Sequence, residues 1–265
     1  MSTASPGPAG PAGPAASARR AARRGAELLT RPLAHGLDYA WVAATAARSA
    51  GGLLRRDRWR PGTSAGTDTA AAPVLLLPGV YESWHMLARV GRAIVDAGHP
   101  VGVVPDLGLN GRPVADGARR TADHLARLGL RGVVLVAHSK GGLVGKATML
   151  GPEGHRVAGL VAVATPWRGS VWARAFPPRS AVGALSPRGP DLVRLAGRTD
   201  VDSRIVSLAP AWDPHIPGGS FLPGARNVRL RERGHFRPLG SPAVHALVVA
   251  HVRLLAADAQ GGQDR

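Results

Sequence analysis

A serine hydroxyl is a poor nucleophile until a neighbouring base takes its proton, and the base in turn needs an acid to orient it. Ser139 stands in the run Ala137-His138-Ser139-Lys140-Gly141-Gly142. The apolar stretch Gly132–Ala137 precedes it, and helical spacing covers Gly141–Leu150. This is the setting of a nucleophile on a sharp strand-to-helix turn. Small flanking residues let the two backbones pass closely, the turn lifts the hydroxyl above the sheet edge, and the helix N-terminus points at it. Two other serines fit the bare pattern: Ser49 in Ala47-Arg48-Ser49-Ala50-Gly51, and Ser64 in Gly62-Thr63-Ser64-Ala65-Gly66. Ser64 matches the stricter Gly-x-Ser-x-Gly form better than Ser139 does. Ser49, however, lies within an expected helix, and Ser64 has no strand ahead of it. Only Ser139 has the elements that the chemistry requires.

For this turn type the order is serine, acid, histidine. Among the histidines after Ser139, His235 sits in Arg233-Gly234-His235-Phe236, between the last expected strand and the closing helix. That puts it at the carboxyl edge of the sheet, on the serine's side. His215 is a weaker rival. His155 falls at the opposite edge, and His245 and His251 fall within the closing helix. Asp213, just past the strand Arg204–Leu208 and ahead of His235, is placed to hold the imidazole tautomer. Asp191, Asp200 and Asp202 precede that strand and read as caps and solvated charges. A tetrahedral intermediate also needs backbone donors. The N–H of Lys140, following the nucleophile, and that of Val80, in the loop Leu77-Pro78-Gly79-Val80-Tyr81, are the candidates.

These residues require a particular scaffold. Val74–Leu77, Val101–Val104, Gly132–Ala137, Val157–Ala164, Arg204–Leu208 and Asn227–Arg231 read as strands. Glu82–Ala97, Ala115–Leu128, Gly141–Leu150 and Ser241–Ala257 read as helices. The alternation gives βαβ units and a mostly parallel sheet, and continuous apolar runs such as Val-Val-Leu-Val-Ala imply that both faces are covered. Residues 166–202 break the alternation. They are rich in Pro, Gly and Arg, with a short helical piece near Asp191–Ala196, and read as an insertion or lid.

Ahead of this domain, assigned to 73–258, the chain divides into a Pro/Gly/Ala-rich tail at 1–18, a basic and partly helical arm at 19–60, and a small-residue linker at 61–72. The net charge is +17, yet Lys140 and Lys146 are the only lysines among 34 basic residues, and aromatics are 4%. An arginine bias of this kind accompanies GC-rich coding, and few aromatics are available for base stacking, so nucleic acid is disfavoured as a partner. The arm carries ten arginines and an apolar face around Leu37, Trp41, Leu53 and Leu54. It is suited to peripheral contact with an anionic membrane, or to packing on the domain. A cytoplasmic or peripheral-membrane location follows, with twin-arginine export the less favoured reading because the apolar stretch is interrupted. There is no cysteine, and no His/Asp/Glu cluster has ligand spacing, so no metal or other cofactor is expected.

Taken together these residues resemble the α/β-hydrolase superfamily, and within it the small bacterial lipases and esterases. The resemblance spans about Val74 to Leu255 and rests on Leu-Leu-Leu-Pro-Gly at 75–79, Val-Ala-His-Ser-Lys-Gly-Gly at 136–142, Ala-Thr-Pro-Trp-Arg-Gly-Ser at 164–170 and the stretch 212–244. Pro78 and Trp167 stand where that pattern often has histidine. The resemblance implies an α/β-hydrolase fold with helices on both faces of the sheet. It also implies hydrolysis of carboxylic esters through an acyl-enzyme, with Ser139, Asp213 and His235 catalytic and Val80 and Lys140 forming the oxyanion hole. Trp167, Trp172 and Phe176 of the insertion would line an acyl cleft or pack locally. An acyltransferase or thioesterase with the same triad is an alternative, as is a basic surface-binding protein with a vestigial site.

Overall fold

The computed structural model describes Pro32, residues 35–45 and residues 71–261. The expected tail, most of the arm, nearly all of the linker, and Ser49 and Ser64 lie outside the described residues. Six strands, β1 (Val74–Leu77), β2 (Val101–Val103), β3 (Val133–His138), β4 (Val157–Val163), β5 (Ile205–Ala209) and β6 (Arg226–Arg229), form one sheet in the order β2-β1-β3-β4-β5-β6. Every neighbouring pair is parallel. The chain runs from β1 outward to β2 and returns across β1 to β3. The loops leaving β1 and β3 therefore diverge, which opens a crevice at their carboxyl ends.

The strands are apolar throughout because each side chain has a layer to enter. Leu75, Leu77, Leu135 and Ala137 pack under α3 (Val114–Arg127) and α4 (Lys140–Met149), while Val74, Leu76, Val134 and Val136 pack under α2 (Ala88–Asp96) and α6 (Pro242–Gly261). Successive side chains alternate faces, so an uninterrupted hydrophobic run fills both cores, each fully buried aliphatic contributing about 1.5–3 kcal/mol. Along α6, Val244, Val248 and Val252 recur every fourth residue and are fully buried, one stripe of the helix. The insertion contains 3-10 turns at Val171–Ala175 and Gly183–Leu185 and the short α5 (Pro190–Ala196).

Two expectations need correction. The helix predicted from Glu82 starts later, with a 3-10 turn at Trp84–Leu87 running into α2, because the Glu82 carboxylate is buried and accepts the Gly79 N–H at 3.0 Å. Asp202 is not solvated: it meets Lys146 of α4 at 2.7 Å, with the two side chains 3% and 2% exposed. Asp200, in contrast, is 63% exposed beside Arg198.

The arm also contributes to the fold. Residues 35–45 form a helix, here α1. Trp41, on the apolar face read above as suited to membrane contact or to packing on the domain, takes the packing alternative: it is half-buried against the core cluster that includes α2 and α6, with its indole against Gly240. Leu37 remains exposed.

Asp202→Asn strands the Lys146 ammonium in the interior and is expected to cost about 3–5 kcal/mol in urea denaturation. Asp200→Asn is expected to change stability by no more than about 0.5 kcal/mol.

Candidate active site

Ser139 links β3 to α4 with φ 51° and ψ −124°, a conformation that costs a non-glycine residue about 1–3 kcal/mol and persists only when its surroundings enforce it. Here both backbone groups are tied. The Ser139 N–H donates to the Val163 carbonyl at 2.9 Å, and its own carbonyl accepts the Thr165 hydroxyl at 3.0 Å. Gly141 and Gly142 are required because a Cβ on the first would collide with the Leu77 carbonyl and on the second with Thr165. The N-terminus of α4 therefore rests directly on the end of β1.

Asp213 and His235 are brought together by strand register. β5 pairs with β6 so that Ala209 faces Arg229, and the pairing continues past both strands. Ala211 N–H donates to Glu232, Trp212 bridges to Arg233, and Gly234 N–H donates to Trp212. The acid loop and the base loop thus leave the sheet side by side. Asp213 Oδ2 lies 2.8 Å from His235 Nδ1, and His235 Nε2 lies 3.0 Å from Ser139 Oγ. The three side chains that sequence reasoning chose form one hydrogen-bonded chain, and all three residues are buried. Asp213 Oδ1 accepts the N–H groups of His215 at 2.8 Å and Ile216 at 3.1 Å, which fixes the carboxylate plane. The insertion pins this loop from outside: Ser170 Oγ donates to the His215 carbonyl, and Trp172 Nε1 to the Pro214 carbonyl at 3.0 Å.

The electrostatics follow from this packing. Burial opposes charge on His235, but Asp213, by charge and hydrogen bond, and then Glu82 and Asp38 outweigh it and hold the imidazole above its ordinary 6.5. Burial would raise Asp213; the His235 charge and hydrogen bond together with the His215 N–H overcome it, so the carboxyl stays below its usual range. His215, the rival base, is desolvated and faces His235, which pushes it down to about 4. It stays neutral beside His235, with ring centroids 4.8 Å apart. The other histidines make local contacts: His155 with Pro152 and His245 with Leu239, both through backbone carbonyls.

The candidate oxyanion donors sit at the first residue of α4 and in the loop leaving β1. Gly79 N–H is taken by Glu82, while the N–H groups of Val80 and Lys140 have no protein acceptor among the described residues. The Lys140 side chain is buried, and its ammonium donates to the carbonyls of Asn110, at 2.7 Å, and Arg112. Burial brings its pKa down to about 8. Asn110, at φ 49°, donates its amide to the Pro78 carbonyl at 2.7 Å. The residue after the nucleophile thereby also braces the loop that carries Val80.

Of the three insertion residues, Trp167 is a correction. It is 5% exposed within the core, and its indole N–H donates to Ser207 of β5 at 2.8 Å. Such a satisfied indole packs inside instead of lining a cleft. Trp172 and Phe176 are exposed, and with Tyr39, Tyr81 and Leu109 they form a set of large exposed apolar residues on α1 and the loops.

Sequence reasoning missed four polar groups. His138 Nδ1 lies 2.9 Å from each Glu82 oxygen, and its Nε2 lies 3.0 Å from the His235 carbonyl. A carbonyl only accepts, so His138 Nε2 donates to it. A histidine ending an apolar strand was the available signal for this pair. Asp38 and Asn110 had none beyond a polar residue in apolar or turn surroundings.

No family model and no curated protein matches the chain. Among solved structures, the mature form of the Bacillus licheniformis lipase BlEst2 is similar with a TM-score of 0.59 and 16% identity, over 72% of this chain and 96% of that one. Aspergillus fumigatus lipase B is similar with a TM-score of 0.55 and 14% identity, over 72% of this chain and 54% of that one. At these identities the likeness is one of fold, and the chain has the α/β-hydrolase fold.

Loss of activity on the acid side should track protonation of His235. Because its pKa is raised, kcat/KM for a soluble ester is expected to fall with a midpoint above pH 6.5. Asp213→Asn, which presents the wrong tautomer to Ser139, is expected to lower kcat by about 10⁴ with the fold unchanged by circular dichroism.

Proposed function

We propose that the protein is a serine hydrolase that cleaves carboxylic esters through an acyl-enzyme. The observation that carries this reading is the continuous chain Asp213–His235–Ser139, with separations of 2.8 and 3.0 Å, together with the Val80 and Lys140 N–H groups that have no acceptor among the described residues. The neighbours named as lipases have the same fold, which is consistent with it.

In this reading Ser139 Oγ attacks the ester carbonyl carbon as its proton passes to His235 Nε2. Asp213 stabilises the resulting imidazolium through Nδ1–H. The carbonyl oxygen becomes an oxyanion held by the Val80 and Lys140 N–H groups. Collapse expels the alcohol, which takes the proton from Nε2. A water then repeats the sequence on the acyl-enzyme: it gives its proton to His235, and the carboxylic acid leaves as Ser139 recovers its hydrogen. Each step uses only these side chains and backbone donors.

The exposed apolar residues point to an ester with an apolar acyl or alcohol group. Trp172 is bonded to the acid loop, Tyr81 follows the oxyanion loop, and Leu109 adjoins the Asn110 brace. Large exposed apolar groups flanking a site mark contact with an apolar partner. In this proposal the 166–202 insertion supplies one wall of the cleft and the acid-loop anchor. Peripheral contact of the arm with an anionic membrane on the cytoplasmic side is a further part of it, resting on the arm's ten arginines.

The test is hydrolysis of short-chain p-nitrophenyl esters by wild type and Ser139→Ala. Wild type should turn over and be labelled by a fluorophosphonate probe at Ser139, as mapped by mass spectrometry. Ser139→Ala should lose at least about 10³ in kcat. A burst of alcohol without net hydrolysis, relieved by an added thiol or alcohol acceptor, would favour acyl transfer. Labelling at Ser64, or wild-type and Ser139→Ala rates that are equal, would overturn the reading.

A further inference from the structure

His235 is held at four points, of which the imidazole contacts with Asp213 and Ser139 belong to the triad. Its carbonyl is bonded to His138, and its N–H to a residue almost two hundred positions earlier in the chain. Asp38 of α1 is fully buried. Its carboxylate accepts three successive backbone N–H groups, those of His235 at 2.7 Å, Phe236 at 2.8 Å and Arg237 at 2.9 Å. The base loop wraps an anion in the manner of a backbone nest. Gly234, at φ 106°, has no side chain because a Cβ there would collide with the Asp38 carboxylate. A second contact fixes the same helix, since a Cβ on Gly240, after the loop, would strike the Trp41 indole. Carboxylate hydrogen bonds to backbone N–H groups are among the stronger neutral-to-ion contacts, so this loop geometry depends on α1.

We propose that Asp38 is a positioning residue for His235, and that the N-terminal helix ahead of the sheet thereby completes the active site. The inference rests on the triad reading given above. The isolated sheet and its loops supply the acid and the nucleophile, but the backbone at His235 is oriented by a carboxylate from outside them. A shift of about 1 Å in a reacting group is enough to cost roughly a hundredfold in rate.

The groups facing the His235 imidazole are Asp213 and His215 of the acid loop, Glu82 of the loop after β1, His138 at the end of β3 and Asp38 on α1, while Tyr39 and His35 of α1 face His215. Removing the Asp38 charge leaves the rest in place and takes away one of the influences that favour the imidazolium.

The experiment compares full-length wild type, Asp38→Asn and the exposed-face control Ala43→Ser. Proton NMR follows the downfield His235 Nδ1–H signal through a pH titration, and the same samples are assayed for fluorophosphonate labelling of Ser139 and for ester turnover. Asparagine has the shape of aspartate but turns a donor toward one of the three N–H groups. Asp38→Asn should shift the His235 titration to lower pH, move the acid limb of kcat/KM with it, and lower kcat by about 30- to 100-fold with KM changed less than about threefold. Ala43→Ser should match wild type. An Asp38→Asn protein with an unmoved His235 signal and a rate within threefold of wild type would overturn the proposal. If wild type is not labelled while Asp38→Asn still shifts the His235 titration, the ester-hydrolase reading fails and the positioning role stands. Should Asp38→Asn be unfolded by circular dichroism, Trp41→Ala, which loosens α1 at Gly240, is read in the same way.

Discussion

The placement of one imidazole governs this site. Ser139 is fixed by its own turn and Asp213 by its own loop, but His235 has to meet both, and it stands where three distant stretches of chain converge. Its ring is held by Asp213, its carbonyl by His138 and its N–H by Asp38. A histidine on a free loop would sample many rotamers and backbone states. Here burial with every polar group bonded leaves one, and an unpaired buried group would cost about 1–3 kcal/mol. Order at this site therefore comes from satisfying hydrogen bonds in a low-dielectric region.

The same rule explains the charges packed around it. Glu82, His138, Asp213, His235 and Asp38 are all buried, and each has a hydrogen-bond partner. Glu82 is the junction, since it takes the Gly79 N–H of the oxyanion loop and pairs with His138, which in turn holds the His235 carbonyl. The oxyanion loop and the base loop are thereby mechanically joined. On the other side, the buried Lys140 ammonium and the Asn110 amide brace the same oxyanion loop. Both lysines of the chain are buried on α4, Lys140 against carbonyls and Lys146 against Asp202, while arginine supplies every other basic side chain. A compact ammonium fits such enclosed acceptors where a planar guanidinium does not.

The insertion after β4 has a defined structural part. Ser170 and Trp172 bond to the two carbonyls that follow Asp213, so the segment that interrupts the alternation of strands and helices secures the acid. The all-parallel sheet supplies the other half of that geometry. Extension of the β5–β6 pairing as far as Trp212 and Arg233 is what sets Asp213 opposite His235.

The strands, most helices and the grouping of Ser139, Asp213 and His235 were legible because their signals are local. A buried parallel strand must be continuously apolar, a nucleophile turn must have small neighbours, and the ends of strands must carry the polar residues that reach the sheet edge. Val133–His138 followed by Ser139 and Lys140–Met149 meets all three conditions within twenty residues. Burial and partnership across the chain left no such trace. Asp202 reads as a surface acid and is buried on Lys146. Trp167 reads equally as a cleft residue or a packed one and is a core residue, since only the fold brings Ser207 to its indole. Asp38 reads as an interruption in an apolar helix and is the carboxylate that three backbone N–H groups of the base loop surround. The sequence by itself determined which elements form and which side chains they carry to the edge of the sheet. The tertiary structure alone decided which polar groups are buried together, because a hydrogen bond between residues 38 and 235 depends on where two segments meet in space and on nothing in the residues beside either of them.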